Sequence, residues 1–427
     1  MSYYRIFTRI FILLPVLFLS LGGKAALAAE SGFPAGPKEK MEQKVQRTGI
    51  VQQEKLPAFQ YSADMPDRSA IGCVLPLSGR YGDYGSKALD AILLAAGMFD
   101  EKNKTRWKII AEDSRGIPQR ARDAVARLAK KDNVMAIIVV AGTLEAVEVA
   151  QEAGKWKMPV ILITPKEGVT SANDYVFQHF LTSSQQINAL VKYALDDLNC
   201  AIFSILYPKD DYGVEMANNF RAQANSLGGK IESAIGYGKT QTDFTEEIKR
   251  ATRNTVSAPK KAGAHNQAAV SVDFEAIFIP DSYSRVKMIV SQLAFHDVKG
   301  IPLLGTSLWN SPDLLRKDAE YLEGSVFTDS FFVNGFYPET NDFVDIFYTA
   351  YSREPENIEA LSYDTMGMII SVLKDKYILT REQFIAGLQQ IKNYQGATGS
   401  TSFLPGRVSR KAAFILKIKG GKLVQVK

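Results

Sequence analysis

A strand–loop–helix pattern occurs twice in this 427-residue chain, about 130 residues apart. The first copy reads GCVLPLSGRYGDYGSK: an apolar run, a Gly-rich loop, and Tyr84-Gly85 at a helical start. The second copy reads AIFSILYPKDDYGVE and repeats this order up to Tyr212-Gly213. Loops of this kind lie beyond the carboxyl ends of parallel strands, where α/β sheets bind ligands. The duplication predicts two similar lobes that face a cleft, which favours a binding protein over an enzyme.

From residue 71 onwards, apolar runs of strand length alternate with amphipathic helical patterns. Strands separated by helices of about 10–15 residues form βαβ units, so the sequence predicts an α/β fold with parallel sheets. The first series has strands at residues 71–77, 107–111, 135–140, 160–163 and 175–180, with helices at 86–101, 119–131 and 144–156. The second has strands at 201–206, 230–236, 276–280 and 302–305, with helices at 184–198, 214–227, 244–253 and 283–295.

The C-terminal part of the chain has a different pattern. Helical periodicity is found at residues 343–352, 358–374 and 381–391. Residues 412–426 then alternate with period 2 around Gly420-Gly421, which predicts a β-hairpin.

The first residues have the pattern of a secretory signal. Arg5 and Arg9 precede an apolar run of twelve residues, and small residues follow up to Ala28. An uncleaved anchor is the alternative, but twelve residues are fewer than the ~20 needed to span a bilayer. We therefore expect a cleaved signal peptide at residues 1–28, without a lipobox, and export to the periplasm. Residues 29–68, rich in Lys, Glu, Gln and Pro, predict a flexible arm.

The charge balance and the positions of the cysteines argue against a nucleic-acid-binding protein and against a disulfide. Without residues 1–28 the chain has 48 basic and 46 acidic side chains, a formal charge of +2. This balance does not predict nucleic-acid binding. Cys73 and Cys200 fall in or beside strand patterns of different lobes, too far apart for disulfide geometry. We expect two buried free thiols.

No constellation of catalytic, metal-binding or cofactor-binding residues is recognisable. His179, His265 and His296 lack metal-ligand spacing with cysteine or carboxylate. The loop at residues 79–87 resembles a P-loop but ends in Gly-Ser-Lys and is one residue too long. A nucleophile elbow and a dinucleotide fingerprint are also missing. We predict a non-enzymatic protein with no catalytic residues, no metal and no cofactor.

Polar and aromatic residues at predicted strand ends are candidates for ligand binding. A helix N-terminus offers unpaired N–H groups, and tyrosine combines an apolar ring with a hydroxyl. Turn chemistry alone can account for each residue taken singly, so their joint placement is what favours a cleft. The residues chosen on this ground are Ser78, Thr143, Thr164, Tyr212, Ser307 and Trp309.

The order of motifs resembles the periplasmic leucine/isoleucine/valine-binding protein family, the type I solute-binding proteins of ABC importers. The resemblance rests on IGCVLPLSGRYGDYG, MPVILITP, DDYGVEMANNF and FEAIFIPDSYSRVKMIVSQL, and it covers about residues 70–420. It implies two Rossmann-like lobes in a Venus flytrap, joined by three hinge crossovers. These are expected near residues 181–184, 330–333 and 396–401. Lobe 1 would comprise residues 69–182 and 331–398, and lobe 2 residues 183–330 and 399–427.

The resemblance also implies a function. Such a protein captures a small polar, amino-acid-like ligand by lobe closure and delivers it to an inner-membrane ABC permease. Tyr84 and Tyr283 match aromatic positions of the family site and complete the set of candidate ligand-binding residues.

The family's grip on a free amino acid is not matched. Ala146 and Val147 stand where the family has paired hydroxyls for the ligand carboxylate, and Gly168 replaces a threonine. Ser307 stands where an acidic residue would pair with the ligand ammonium.

A second possibility comes from LLGTSLWNSPDLL and the tail from residue 396. They resemble the branch that includes penicillin-binding-protein activators. In that case the chain would be a non-transport envelope module that regulates a cell-wall synthase, with a penicillin-binding protein as its partner.

Overall fold

The computed structural model describes residues 65–99, 106–252, 272–316 and 319–427. The predicted signal peptide, residues 29–64 of the predicted arm and His265 lie outside these ranges. Within them the fold is α/β, as predicted. None of the described helices is both long enough and apolar enough to cross a membrane.

The first sheet is parallel and has the order β2-β1-β3-β4-β5. Helices α2 and α3 pack on one face of this sheet, and α1 on the other. Its strands are β1 (Asp67–Leu75), β2 (Lys108–Asp113), β3 (Val134–Val140), β4 (Val160–Ile163) and β5 (Val176–Gln178). The helices are α1 (Gly82–Ala95), α2 (Pro118–Lys130) and α3 (Thr143–Lys155).

The second sheet repeats this architecture with the parallel order β10-β9-β8-β6-β7. Helices α4 and α5 cover one face, and α6 and α7 cover the other. Its strands are β6 (Ile202–Pro208), β7 (Lys230–Tyr237), β8 (Ala276–Phe278), β9 (Leu303–Gly305) and β10 (Val326–Asp329). The helices are α4 (Ser183–Asp196), α5 (Asp211–Ser226), α6 (Thr245–Ala251) and α7 (Tyr283–Phe295).

The C-terminal segment completes both halves of the fold. Helices α8 (Pro338–Tyr351), α9 (Asn357–Leu373) and α10 (Arg381–Gln389) belong with the first sheet, whose core α9 and α10 complete. A small antiparallel sheet follows, with β11 (Tyr394–Gly396), β12 (Gly399–Phe403) and β13 (Ser409–Lys411). The predicted hairpin is confirmed as β14 (Phe414–Lys419) and β15 (Lys422–Gln425), and β14 pairs with β10.

The chain passes between the two halves after β5, after β10 and before β14. The third passage differs from the expected one at residues 396–401. Phe403 of β12 still packs in the core of the first sheet, against Phe177. The chain therefore joins the second sheet only at Phe414.

Both cysteines are free and buried, as expected from their positions in strand patterns. Cys73 lies in β1 and packs in the first core, where burial raises the pKa of its thiol to about 12. Cys200 packs in the second core, next to β6.

In each half, close packing against the end of the preceding strand explains the glycine of the duplicated Tyr-Gly pair. Gly85 lies in the first turns of α1, and a Cβ at this position would be 2.2 Å from the carbonyl oxygen of Pro76. Gly213 in α5 stands in the same relation to Pro208, also at 2.2 Å. Each glycine lets a helix begin directly against the end of the preceding strand.

We predict that Gly85→Ala and Gly213→Ala each lower the free energy of unfolding by about 1–3 kcal/mol, because backbone must move to admit the methyl group. Gly406→Ala is the control, since a Cβ there meets open space at negative φ. Urea denaturation measures all three. Equal stability of the three variants would contradict this packing account.

Candidate ligand-binding cleft

A cavity of about 950 Å³ opens between the two halves of the fold. From the first half it is lined by Tyr84 of α1 and by Asn357 and Ile358 of α9. The second half contributes Ser307, Asn310, Leu314 and Leu315, all of which follow β9. The passages between the halves supply a further part of the wall, with Phe180, Leu181, Asp329, Ser330, Phe331, Phe332 and Val333. Gln186 of α4, Glu354 and Glu356 before α9, and Lys422 of the β14–β15 hairpin also line the cavity.

A second cavity of about 440 Å³ lies at the carboxyl edge of the first sheet. Pro76, Val140 and Ile163 line it at the ends of β1, β3 and β4, the edge where α/β sheets bind ligands. Tyr84 and Phe180 line both cavities. The two cavities therefore adjoin and form one cleft.

Of the sequence-predicted residues, Tyr84, Thr143 and Ser307 line this cleft. The Tyr84 residue is 45% exposed, yet burial of its hydroxyl raises its pKa to about 12. The negative charges of Glu356 and Asp329 raise that pKa further. Tyr84 is thus a neutral hydroxyl beside carboxylates at the centre of the cleft.

Other predicted residues are engaged within their own half. Ser78 Oγ donates to Asp113 Oδ2 at 2.5 Å, and this bond shapes the loop after β1. Thr164 is fully buried, and its carbonyl oxygen accepts from Gln178 Nε2 at 2.8 Å.

In the second half, the Tyr212 hydroxyl donates to Thr306 Oγ1 at 2.9 Å and joins the loops after β6 and β9. Tyr283 is half-buried and packs on the second core. These four residues, Ser78, Thr164, Tyr212 and Tyr283, support the cleft edges but line neither cavity.

Trp309 also lies outside the cleft. It is fully buried in the second core, and its Nε1 donates to the Ile279 carbonyl oxygen at 3.1 Å. A Cβ on Gly305 would be 2.3 Å from the indole, so that glycine lets the ring fold back onto β9. The strand-end position predicted a cleft residue, but the missing Cβ directs the ring inward.

The sequence analysis missed the buried Asp329 at the end of β10. Asn310 Nδ2 donates to its Oδ2 at 2.7 Å, and Asn357 Nδ2 donates to its Oδ1 at 2.7 Å. The Ser330 N–H also donates to Oδ1, at 2.6 Å. Burial raises the pKa of Asp329 to about 6, although these hydrogen bonds act in the opposite direction. Asn310 belongs to the second half and Asn357 to the first, so this carboxylate ties the halves together.

A second buried polar network joins two of the passages. Thr365 Oγ1 donates to the Leu361 carbonyl oxygen, so it accepts a hydrogen bond from His179 Nδ1 at 2.8 Å. His179 Nε2 is then an acceptor, and Lys411 Nζ lies 2.9 Å from it. Burial, and then the charge of Lys411, lower the pKa of His179 well below its usual value. The imidazole is therefore neutral.

The other two Lys411 protons are also used. Nζ donates to Thr398 Oγ1 at 2.6 Å and to Thr401 Oγ1 at 2.9 Å. The Thr398 hydroxyl in turn donates to the buried Asp364 carboxylate. Burial lowers the pKa of Lys411 to about 8, and Asp364 opposes that shift. All three ammonium protons are thus satisfied next to the passages after β5 and before β14.

Two halves of like architecture around a shared cleft define a two-lobed binding protein. The chain belongs to the periplasmic binding protein family, whose model matches residues 69–422. Among the described residues, no group of three His, Cys, Asp or Glu side chains could hold a metal ion.

Similar proteins carry names that agree with this class. An amino acid binding protein from Pseudomonas aeruginosa is 26% identical over 216 residues, which are 46% of this chain and 54% of that protein. The chain thus spans about half the length of this relative.

Two solved structures have the same fold. A candidate branched-chain amino acid ABC transporter from Rhodospirillum rubrum has a TM-score of 0.74 at 20% identity, covering 84% of this chain and 99% of that one. An ABC transporter substrate-binding protein from Desulfitobacterium hafniense in complex with Leu has a TM-score of 0.65 at 16% identity, with the same coverage.

We predict that Asp329→Asn removes a pH-dependent loss of stability. Because folding raises the pKa of Asp329, its contribution to the free energy of unfolding is complete below pH 3.8 and is lost as the pH rises to about 6. At ~1.4 kcal/mol per pH unit, the variant should gain up to about 3 kcal/mol on the wild type between pH 4 and pH 6. Urea titrations at several pH values measure this, with the exposed Asp345→Asn as control. If the difference in unfolding free energy between Asp329→Asn and the wild type does not change with pH, the raised pKa of Asp329 is refuted.

For the second network, we predict that Lys411→Met costs about 3–5 kcal/mol of unfolding free energy, because it removes the cation that faces buried Asp364. Lys419→Met changes an exposed lysine of β14 and should stay within about 0.5 kcal/mol of the wild type. Thermal and urea unfolding compare the two. If both variants are as stable as the wild type, the Lys411 network does not stabilise the fold.

Proposed function

We propose that this protein is the solute-binding component of an ABC importer and captures a small polar ligand by lobe closure. The observation that carries the proposal is the 950 Å³ cavity, which residues of both halves and of the passages line together. This volume lies within the ~300–1,000 Å³ typical of small-molecule sites. A ligand held there would contact both lobes.

Closure follows from those contacts by a shift in population. A ligand that contacts both lobes only in the closed state binds that state more tightly and increases its fraction. Tyr84 approaches from the first lobe and Ser307 from the second, so both are proposed as ligand contacts, with Thr143 at the rim. Ser78, Thr164, Tyr212, Tyr283 and Trp309 would act indirectly, by holding the loops that carry those contacts.

The names of related proteins support an amino-acid-like or related solute. The protein from Pseudomonas aeruginosa is called an amino acid binding protein, and that from Desulfitobacterium hafniense was solved with Leu. Membership of a periplasmic family supports export, with residues 1–28 as a cleaved signal and residues 29–68 as an arm. In this role the protein has an ABC permease as its partner and does not transform its ligand chemically.

The first test is a thermal-shift screen against amino acids, small amides, carboxylates, amines and muropeptides. A ligand at 100 times its dissociation constant adds about 2.7 kcal/mol to the free energy of unfolding, which raises the melting temperature. We predict that at least one compound stabilises the wild type and that Tyr84→Ala weakens its binding at least tenfold. Tyr377→Ala, which changes a 70% exposed tyrosine of the α9–α10 connection, should bind normally.

A negative screen would contradict transport. If no compound shifted the melting temperature and the purified protein instead bound a penicillin-binding protein directly, the envelope-module function would replace the importer function. Detection of turnover of any bound compound would contradict the non-enzymatic role.

A further inference from the structure

We propose that the ligand is a small organic cation, with N–H donors and an apolar or aromatic body, rather than a carboxylate. This inference rests on the proposed function and narrows the class of solute. It comes from the charge of the cleft lining, from one buried acceptor without a partner, and from the apolar and aromatic residues of the wall.

Carboxylates dominate the charged groups of the cleft. Among the described residues that line the two cavities, the acidic ones are Asp329, Glu354, Glu356 and Glu145, and the one basic residue is Lys422. Lys87, which is not part of the lining, pairs with Glu356 at 2.8 Å. When Lys87 is included, the four carboxylates and the two lysines give a formal charge of −2 facing a ligand. A cation is attracted to this field, and an anion is repelled.

Gln186 supplies an unpaired acceptor in the wall of the larger cavity, which fits an N–H donor in the ligand. The residue lines the larger cavity, is only 8% exposed, and donates from Nε2 to the Leu181 carbonyl oxygen at 3.1 Å. This bond fixes the orientation of the amide, because the Leu181 carbonyl oxygen needs a donor and Oε1 carries no hydrogen. Oε1 is buried and has no hydrogen-bond partner. A buried acceptor without a partner is costly, so a donor from the ligand would satisfy it.

The place where a carboxylate could bind is already filled by a carboxylate of the protein. Glu145 lines the smaller cavity in the first turn of α3. Its Oε2 accepts from the Gly142 N–H at 3.1 Å, and its Oε1 accepts from Ser114 Oγ at 3.0 Å. A helix N-terminus normally attracts an anion. Here the buried Glu145 takes that position, so a ligand carboxylate would meet a negative charge.

The remaining wall suits the body of such a cation. Tyr81, Tyr84, Leu144 and Phe180 line the smaller cavity, and Leu144 is 73% exposed in the open cleft. Aromatic faces attract organic cations as well as apolar groups. Three of the four lining carboxylates belong to the larger cavity, and only Glu145 lines the smaller one with these apolar and aromatic side chains.

Matched ligand pairs test the charge directly by isothermal titration calorimetry on the mature protein. Leucinamide and leucine have the same side chain, as benzylamine and benzoate have the same ring, but one member of each pair has no carboxylate. We expect leucinamide, benzylamine or both to bind at least tenfold more tightly than the carboxylate partner. We also expect the affinity to fall as salt is added.

Two variants test whether the amine binds in this cleft. Asp329→Asn removes one charge and should weaken binding of the amine at least tenfold. Gln186→Leu removes the acceptor without changing the charge, and it should also weaken the amine while circular dichroism shows a native fold. Glu382→Gln neutralises an exposed carboxylate on α10, outside the cleft lining, and should bind as the wild type does.

The outcomes separate this inference from the proposed function. Tight binding of leucine or benzoate, with both amines inactive, would overturn the cation assignment and leave the solute-binding function standing. Failure of all four compounds would also overturn the cation assignment, and the wider thermal-shift screen would then decide the solute-binding function. Amine binding that neither Asp329→Asn nor Gln186→Leu weakens would place the site elsewhere and refute the inference.

Discussion

The structure of the cleft depends on one buried carboxylate that amide groups from both lobes hold. Asp329 ends β10, where the chain leaves the second sheet, and it accepts from Asn310 of the second lobe and Asn357 of the first. A carboxylate is stable in such a buried position only when hydrogen bonds replace its water. The lobes must therefore stay in register at this point, and the large cavity opens beside it.

The Lys411 network provides a second fixed point. It joins His179, after β5, to the strand that precedes β14, and all of its ammonium protons have acceptors. Two of the three passages are thus held by this buried network, and the other lies at Asp329. Away from these passages, Tyr81, Tyr84 and Leu144 leave large apolar surfaces exposed on the cleft face. A protein held at its hinge and apolar at its cleft face is suited to close on a ligand.

The sequence predicted the parallel sheets well because their strands are long apolar runs separated by amphipathic helices. It missed β10 because SVFTDS is short and half polar, and Asp329 was missed with it. The small sheet β11–β13 was missed for a similar reason, since GATGSTSF has little apolar alternation.

Site residues were harder to predict than strands, because strand-end position does not fix where a side chain points. Tyr84, Thr143 and Ser307 line the cleft, whereas Trp309 turns into the core over Gly305 and Thr164 is fully buried. The sequence analysis did not choose Gln186 or Glu145 as ligand-binding candidates. Their importance comes from an unpaired acceptor and from an occupied helix N-terminus, and both depend on contacts between residues that are distant in the sequence or on burial.

The most direct test of the central claim is small-angle X-ray scattering on the mature protein, alone and saturated with the compound that stabilises it most. Closure of two lobes on a shared cavity predicts a smaller radius of gyration in the bound state and a smaller response in Tyr84→Ala. Identical scattering curves for the free and the saturated protein would contradict a binding cleft that closes on its solute.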